Sequence, residues 1–379
     1  MSPNSTNPAP PKKVLIIGAY GTFGLRITRW LAADPKLKVI IAGRSHDKCE
    51  KLARELQSSP NLPLYHALDA HAGLAPVLER LKPDVVIHTS GPFQGQGYDV
   101  AEACIAAGCH YIDLADGRNF VSDIVKLDAA AKAKNVAVIS GASSVPCLTA
   151  AVIDHYAQKF RSVTAVDYGI ATSINADVGA ATTAGVLSYA GKPFTTLKDG
   201  HMQIVYGWQG LTAHNYPEIG LRLMGNCDVP DLALFPERYK GLRDIRFTAG
   251  VEVYALHLGV WLASWLVRWG RMANLGSYAE KLMKYAGYFK RLGTGKSGFH
   301  MRLSGVTHEG LQKHVTFYII AGSNDGVYIP VAAAVLCAKM LSDGTLARRG
   351  AFPCLDVITL QQYLAALADK DIRSMEEQG

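Results

Sequence analysis

Over the first 150 residues two patterns of apolar and polar positions alternate. Short, almost unbroken apolar runs at 14–17, 38–42, 62–67, 84–88, 109–114 and 135–139 predict strands, several with both faces buried. Between them, apolar positions recur at helical spacing over 22–33, 47–56, 71–81, 98–107 and 120–134. Strand then helix, repeated, is the pattern of an α/β, doubly wound parallel sheet of the Rossmann type. From about residue 161 the alternation breaks. Strands are expected at 163–170, 200–206, 246–254, 300–304 and 314–321, which predicts a second, α+β domain carrying a mixed sheet. Helices return at 330–341 and 360–368, ahead of a polar tail.

The first apolar run leads straight into Gly18-Ala19-Tyr20-Gly21-Thr22-Phe23-Gly24 and then into a helix. Strand, tight glycine turn and helix is the context that dinucleotide binding requires. Gly18 permits the turn out of the strand, Gly21 lets backbone approach a pyrophosphate, and Gly24 lets helix and strand pack closely. The helix N-terminus then offers free amides and a partial positive charge to the phosphates. The second run ends in Gly43-Arg44-Ser45, with Lys48 close by. A site that prefers NAD carries an acid here for the ribose 2′-hydroxyl; a guanidinium suits a 2′-phosphate, so the expected cofactor is NADP(H). Arg44 could otherwise be a surface residue capping the next helix. Asp69, after the third run, is read either as an adenine contact or as a helix cap. The turn Ser90-Gly91-Pro92-Phe93 after the fourth run, and Ser143 after the sixth, complete the expected cofactor contacts.

Composition narrows the class without naming a substrate. Of 379 residues, 49% are hydrophobic and 19% charged, as in an ordinary globular protein with room for two cores. The net charge of +7 is not gathered into a basic, aromatic-interleaved run, so nucleic acid is not an expected partner. Seven cysteines, oddly numbered and irregularly spaced, predict reduced thiols and a cytoplasmic location. Cys104 and Cys109 have no zinc spacing, and no metal is expected. Residues 1–12 lack an apolar segment and read as a disordered leader rather than a signal peptide. The Gly293-Thr294-Gly295-Lys296-Ser297 run imitates the end of a phosphate loop, but Lys290 stands where that motif needs glycine. No tyrosine is followed by lysine four residues later, which excludes the short-chain dehydrogenase pair, and no nucleophile elbow is present.

Residues 253–267 are fifteen positions without Asp, Glu, Lys or Arg, and they include Trp261 and Trp265; Arg268, Trp269 and Arg271 follow. The stretch is too short to span a bilayer. It is read as a buried or dimer-interface helix, or as an interfacial helix touching a membrane or lipid-like substrate through 253–271.

The run Ser90-Gly91-Pro92-Phe93, then Gly97, Ala103-Cys104, Gly108, His110-Tyr111 and Asp113-Leu114, with the Gly18 to Gly24 loop and Gly43-Arg44, resembles the saccharopine dehydrogenase-like oxidoreductases. The resemblance covers residues 13–150 and reappears at Gly326-Val327-Tyr328-Ile329-Pro330 and Gly350-Ala351-Phe352-Pro353-Cys354. Many members carry Gly-Phe-Asp-Ser-Ile-Pro where this chain has Gly141 to Pro146; Ala142 and Ser143 replace the Phe and Asp. The resemblance implies that residues 325–379 pack back on a dinucleotide-binding domain 13–150. It also implies that 151–324 form a substrate and dimerisation domain, so a homodimer is expected.

Hydride transfer to C=N or C=O needs a proton at the heteroatom. Candidate donors are Tyr98, His110, Tyr111, Asp113, Asp116, Ser143 and Ser144. Tyr111 and Asp113 come first, as residues at a carboxyl-terminal strand end, and Ser144 is kept as a third. Tyr111 could equally be a strand aromatic, Asp113 a structural cap, and the serines helix caps. The leading expectation is an NADP(H)-dependent oxidoreductase acting on an imine. Its alternatives are an enoyl or carbonyl reductase on a lipid-like substrate and a non-catalytic NADP-binding scaffold. An amino-acid substrate would need cations for its carboxylates, for which Arg222, Arg243 and Arg302 are candidates.

Overall fold

The computed structural model describes residues 10–378, so residues 1–9 of the expected leader lie outside it. Six strands of the first part, β1 (Lys12–Ile17), β2 (Leu37–Gly43), β3 (Leu64–Ala67), β4 (Val85–His88), β5 (His110–Asp113) and β6 (Ala137–Ser140), form one parallel sheet. Lys12, counted in the leader from sequence, already pairs with Leu37. The order is β6-β5-β4-β1-β2-β3, so the winding direction reverses between β1 and β4. Alternate residues feed two cores: Val14, Ile16, Val39, Ile41, Val85 and Ile87 on one face, and Leu15, Ile17, Ile40, Ala42, Val86 and Tyr111 on the other. This two-sided burial makes the strands near-continuous apolar runs. The outer strand β3 is the exception, with Leu64 and Tyr65 each 39% exposed.

Eight strands follow: β7 (Ser162–Thr172), β8 (Pro193–Lys198), β9 (His201–Tyr206), β10 (Thr212–Tyr216), β11 (Gly220–Asn226), β12 (Asp244–Val251), β13 (Ser297–Val306) and β14 (Gln312–Ala321). Except for the β8–β9 hairpin, they form a mixed sheet in the order β10-β11-β12-β7-β13-β14. Its inner face, including Tyr168, Phe247, Met301 and Phe317, joins the same core as β1 and β2, so the two sheets share a hydrophobic layer. The C-terminal segment divides between them. β15 (Gly350–Pro353) pairs with β6 in the first sheet. β16 (Ile372–Gln378), read from sequence as a polar tail and assigned with 325–379 to the nucleotide part, instead pairs along β14 in the second. One face of β16 is solvated, so Glu376, Glu377 and Gln378 hid it.

Two expected helices also change. Residues 120–134 break into Arg118–Ser122, a tight turn at Asp123–Leu127, and Asp128–Ala133. Asp128 turns inward to accept the Ala351 amide of β15 at 3.1 Å. The helix expected from residue 71 starts at Leu74, because Asp69 first accepts the His71 amide at 3.1 Å and Gly73 takes φ +83°.

Candidate cofactor and substrate cleft

Register brings the candidate loops to one edge. Ile17 pairs with Ala42 and with His88, and His88 pairs with Asp113. The residues that follow each of these therefore emerge together, at the carboxyl edge where the sheet order reverses, which is where open α/β sheets take ligands.

The glycine turn is built for close approach. Gly18 has φ +82°, and a Cβ there would lie 2.6 Å from Thr89 Oγ1. A Cβ on Gly24 would sit 2.1 Å from the Gly18 carbonyl oxygen. Gly21 donates to that same carbonyl at 2.8 Å. Helix Thr22–Ala32 then starts with no side-chain cap and no acid in its first turn. Its leading amides are free for an anion. Ala19 is fully buried and its carbonyl accepts Thr28 Oγ1 at 3.2 Å, while Phe23 packs against the core.

Tyr20 does more than fill the loop. Its ring lies over Gly43, where a Cβ would be 2.4 Å from Tyr20 Cε1, and its hydroxyl accepts the Ser45 amide at 3.0 Å. The ends of β1 and β2 are thereby tied together. Ser45 Oγ accepts the Lys48 amide at 3.4 Å as a helix cap, and Lys48 Nζ stands 5.6 Å from the Tyr20 ring. Arg44 is exposed beside them. Asp69, committed to closing its own turn, is exposed two strands from the reversal point. These residues fit a dinucleotide: free amides for the pyrophosphate, backbone where a side chain would block it, and a cation at the ribose end of β2.

Beyond β4, Thr89 Oγ1 donates to the Ile17 carbonyl at 2.8 Å, and Gln96 Nε2 donates to the Ser90 and Pro92 carbonyls at 2.9 and 2.7 Å. These bonds hold the Ser90-Gly91-Pro92 turn, whose Gly91-Pro92 peptide is cis. Phe93 is buried against His88 and Phe120.

The proton-donor expectations need correction. Tyr111 is 1% exposed inside the apolar layer, with its hydroxyl 3.2 Å from His88 Nδ1. Burial pushes its phenol well above the usual range, and its side chain packs inside the fold rather than lining the cleft. Asp113 is 0% exposed; its Oδ1 accepts Gly141 N at 2.8 Å, Ala115 N at 2.9 Å and Ser140 Oγ at 3.0 Å. It braces the ends of β5 and β6. Their strand-end position was right, but a period of two turns both side chains into the fold. His110 lies at the opposite edge of the sheet, where its Nδ1 accepts the Ala137 amide at 2.9 Å. Tyr98 donates to the Phe120 carbonyl at 2.7 Å. Ser143 and Ser144, each 8% exposed in the turn after β6, remain at the cleft edge.

Burial raises the Asp113 carboxyl to about 6 despite its three hydrogen bonds. An unfolded carboxylate titrates near 4, so the folded state binds this proton more tightly. The resulting stabilisation is fully present below the unfolded value and is lost as pH rises through about 6. Measured against Asp113→Asn by urea unfolding, the wild type is expected to lose about 2 kcal/mol of relative stability between pH 4 and 6.5. A flat difference across that range contradicts this placement of Asp113.

A roof closes the cleft. Helix Ala180–Ser188 of the second domain runs from the glycine turn to the β4 loop. A Cβ on Gly179 would be 2.8 Å from Thr22 Oγ1, and one on Gly185 would be 3.0 Å from Gln94 Oε1. Gln94 Nε2 donates to Asp116 Oδ1 at 2.9 Å, and burial raises the Asp116 carboxyl. Beside it Arg118 Nε donates to Asp228 Oδ1 at 2.6 Å and Nη2 to the Thr195 carbonyl at 2.9 Å. Burial and the carboxylates of Asp228 and Asp116 push the Tyr189 phenol up. Of this group only Asp116 was a sequence candidate. The partners sit up to 110 residues apart, and no spacing rule connects them.

The three arginines expected to recognise carboxylates are not gathered here. Arg222 is 8% exposed, with its guanidinium 3.7 Å from Glu252. Arg243 lies at the β8–β9 turn, 3.5 Å from the Asp199 carbonyl. Arg302 is on the outer face of the mixed sheet, near Asp167 and His314. All seven cysteines are buried and unbridged, and among the described residues no cluster of metal-ligating side chains is present.

Residues 14–139 match the family model of the saccharopine dehydrogenase NADP binding domain. Over 140 residues the chain is 29% identical to a putative trans-acting enoyl reductase of Mycobacterium tuberculosis; the alignment covers 35% of this chain and 33% of the relative. The match thus spans about a third of the length of that curated relative. By fold, the chain is similar to apo saccharopine dehydrogenase (L-Glu forming) from Saccharomyces cerevisiae, with a TM-score of 0.66 over 97% of this chain and 100% of that one, at 14% identity.

Proposed function

From the match of residues 14–139 to the saccharopine dehydrogenase NADP binding domain model, we propose that this protein is an NADP(H)-dependent oxidoreductase whose acceptor is an uncharged, lipid-like enoyl or carbonyl compound. The observation that carries the choice of acceptor is the state of the cleft's cation. Arg118 is neutralised by Asp228, and the other three candidate arginines lie elsewhere. The roof helix, Ala-Ala-Thr-Thr-Ala-Gly-Val-Leu-Ser, has no charge. A dicarboxylate would enter without a partner and lose its hydration uncompensated; an apolar chain would not. The name of the mycobacterial relatives agrees with this reading.

Gly18 to Gly24 would hold the pyrophosphate, Arg44 with Ser45 and Lys48 the 2′-phosphate, and Ser90 to Phe93 with Ser143 the nicotinamide end. When bound, the cofactor supplies the hydride. The protein's part is to exclude water under helix Ala180–Ser188 and to orient the acceptor, with the Ser144 hydroxyl a remaining candidate to deliver a proton.

One observation favours the imine alternative. Asp116 is a carboxylate in a partly buried place, and an iminium nitrogen is a cation it could hold. The two readings separate in one assay. NADPH oxidation is followed with long-chain enoyl thioesters and enones in one series and with imines in the other, for wild type and Asp116→Asn. Turnover of the enoyl series, changed less than about threefold by Asp116→Asn, is expected. Turnover of imines alone, reduced about 100-fold in the variant as for loss of a positioned acid or base, would establish the alternative.

A further inference from the structure

Helix Tyr254–Arg268 has two apolar faces. His257, Ser264 and Val267 face inward, where Val267 packs with Leu187, Trp208, Leu275 and Ala279. On the opposite side Leu258, Leu262, Leu266 and Trp269 are 38%, 60%, 38% and 62% exposed, at a spacing that repeats along one stripe. Trp261, Trp265 and Trp269 follow one another along the helix, the first pair edge-to-face and the second tilted, with ring centroids 6.3 and 5.7 Å apart. They line an apolar groove of about 640 Å³ with Leu262 and Leu266. Helix Ala279–Gly287 and the turn after it continue the exposure through Tyr285, Tyr288 and Leu292, at 63%, 74% and 66%. A helix apolar all round belongs in a core or against lipid, and only one side of this one has a core.

Charge identifies the covering phase. From residue 254 to 291 there are six basic residues, Arg268, Arg271, Lys281, Lys284, Lys290 and Arg291, against one acid, Glu280. This tenth of the chain holds +5 of its net +7. Exposed Trp, Tyr and Leu flanked by Lys and Arg are the composition that settles at the headgroup level of an anionic bilayer. Fifteen helical residues reach about 22 Å, short of a hydrocarbon core, so the helix lies along the surface rather than across it.

We infer that residues 254–292 form a docking surface for an anionic phospholipid membrane. Its inner side is one packing unit with the cleft. Ala184, Val186 and Leu187 of the roof helix share a cluster with Val260, Ala263 and Val267 of the docking helix, and a Cβ on Gly276 would touch the Ala184 carbonyl at 2.8 Å. Lipid contact on the outside therefore bears on the element that covers the cofactor cleft. Docking itself does not depend on the redox chemistry, so either can fail without the other.

The test uses the full chain with vesicles of phosphatidylcholine alone or with added phosphatidylglycerol. Co-sedimentation with the anionic vesicles at least about tenfold stronger than with neutral ones is expected, weakening as salt rises, together with a blue shift of tryptophan emission. Leu262→Glu/Trp269→Glu and, separately, Lys284→Glu/Arg291→Glu are expected to weaken binding about tenfold or more. Unchanged far-UV circular dichroism and an unchanged urea-unfolding midpoint show that each variant is folded. Equal binding to both vesicle types, no binding, or folded variants that bind like wild type would overturn the inference. So would a solution dimer that the Leu262→Glu/Trp269→Glu variant splits, since the stripe would then be covered by a second copy of the chain.

Discussion

Arg118→Ala is expected to lower the stability of the folded protein by about 3–5 kcal/mol, the cost of leaving a buried charge without its partner. Arg118 stands on the nucleotide side and Asp228 on the side of the mixed sheet. Their side chains are only 13% and 9% exposed. Burial alone pushes the Asp228 carboxyl up, and the Arg118 guanidinium pulls it back. Arg118 also donates to the Thr195 carbonyl and lies 5.7 Å from the Phe194 ring centroid, so its loss strips the junction of packing as well as charge. Removing both charges, in Arg118→Ala/Asp228→Ala, should recover part of the loss, because no orphaned carboxylate remains. Urea midpoints for the two single variants and the double variant measure this. A loss under about 1 kcal/mol for Arg118→Ala, typical of an exposed pair, would mean that this contact is not what joins the domains over the cleft.

The second large effect falls on binding. In Gly24→Ala the new methyl would stand 2.1 Å from the Gly18 carbonyl oxygen and 2.8 Å from its carbonyl carbon. Both are backbone atoms, so the turn itself has to move. About 1–3 kcal/mol of stability is the usual cost of overpacking. The larger consequence is that the amides of the turn and of the first helix no longer share one focus. NADPH affinity is expected to fall more than about 100-fold, the loss of two or more charge-assisted bonds. Gly21→Ala provides the graded comparison: its nearest neighbour would be the same oxygen at 3.1 Å, so the fold should tolerate it better. Titration of both variants by fluorescence, with unfolding curves alongside, separates the two costs. Wild-type affinity in Gly24→Ala would show that the turn is structural only.

The first sheet was legible because each of its inner strands is buried on both faces and writes an apolar run. The helices between them carry one apolar stripe each. The glycine turn was legible because backbone approach restricts three positions to the same residue. Other parts lacked such a signal. β10 and β16 are half solvated and mostly polar, so nothing marked them as strands. Tyr111 and Asp113 were placed at the correct strand end, but sequence position does not say whether a side chain at that end turns toward the crevice or under the next loop. The roof helix Ala180–Ser188 has neither charge nor periodicity to advertise it, and its role rests on where the second domain sets it down. Arg118 and Asp228 meet across a domain boundary, which one sequence cannot report. By contrast, the stretch 253–267 is legible as a helix, Tyr254–Arg268, and its exposed stripe with the basic flank is the basis of the docking proposal.

The most direct measurement is a pair of binding titrations, NADPH and NADH, with wild type and Arg44→Ala. Arg44 is exposed at the end of β2, next to the glycine on which Tyr20 rests, and on the proposed reading its guanidinium would meet a 2′-phosphate. Tighter binding of NADPH than of NADH is predicted for wild type. Arg44→Ala should weaken NADPH by about 1.5–3 kcal/mol, as for a charge-assisted contact, and change NADH by less than about twofold. Equal affinity for the two nucleotides in wild type, or an equal loss of both in the variant, would contradict the cofactor assignment. If neither nucleotide bound, the enzyme reading as a whole would be contradicted.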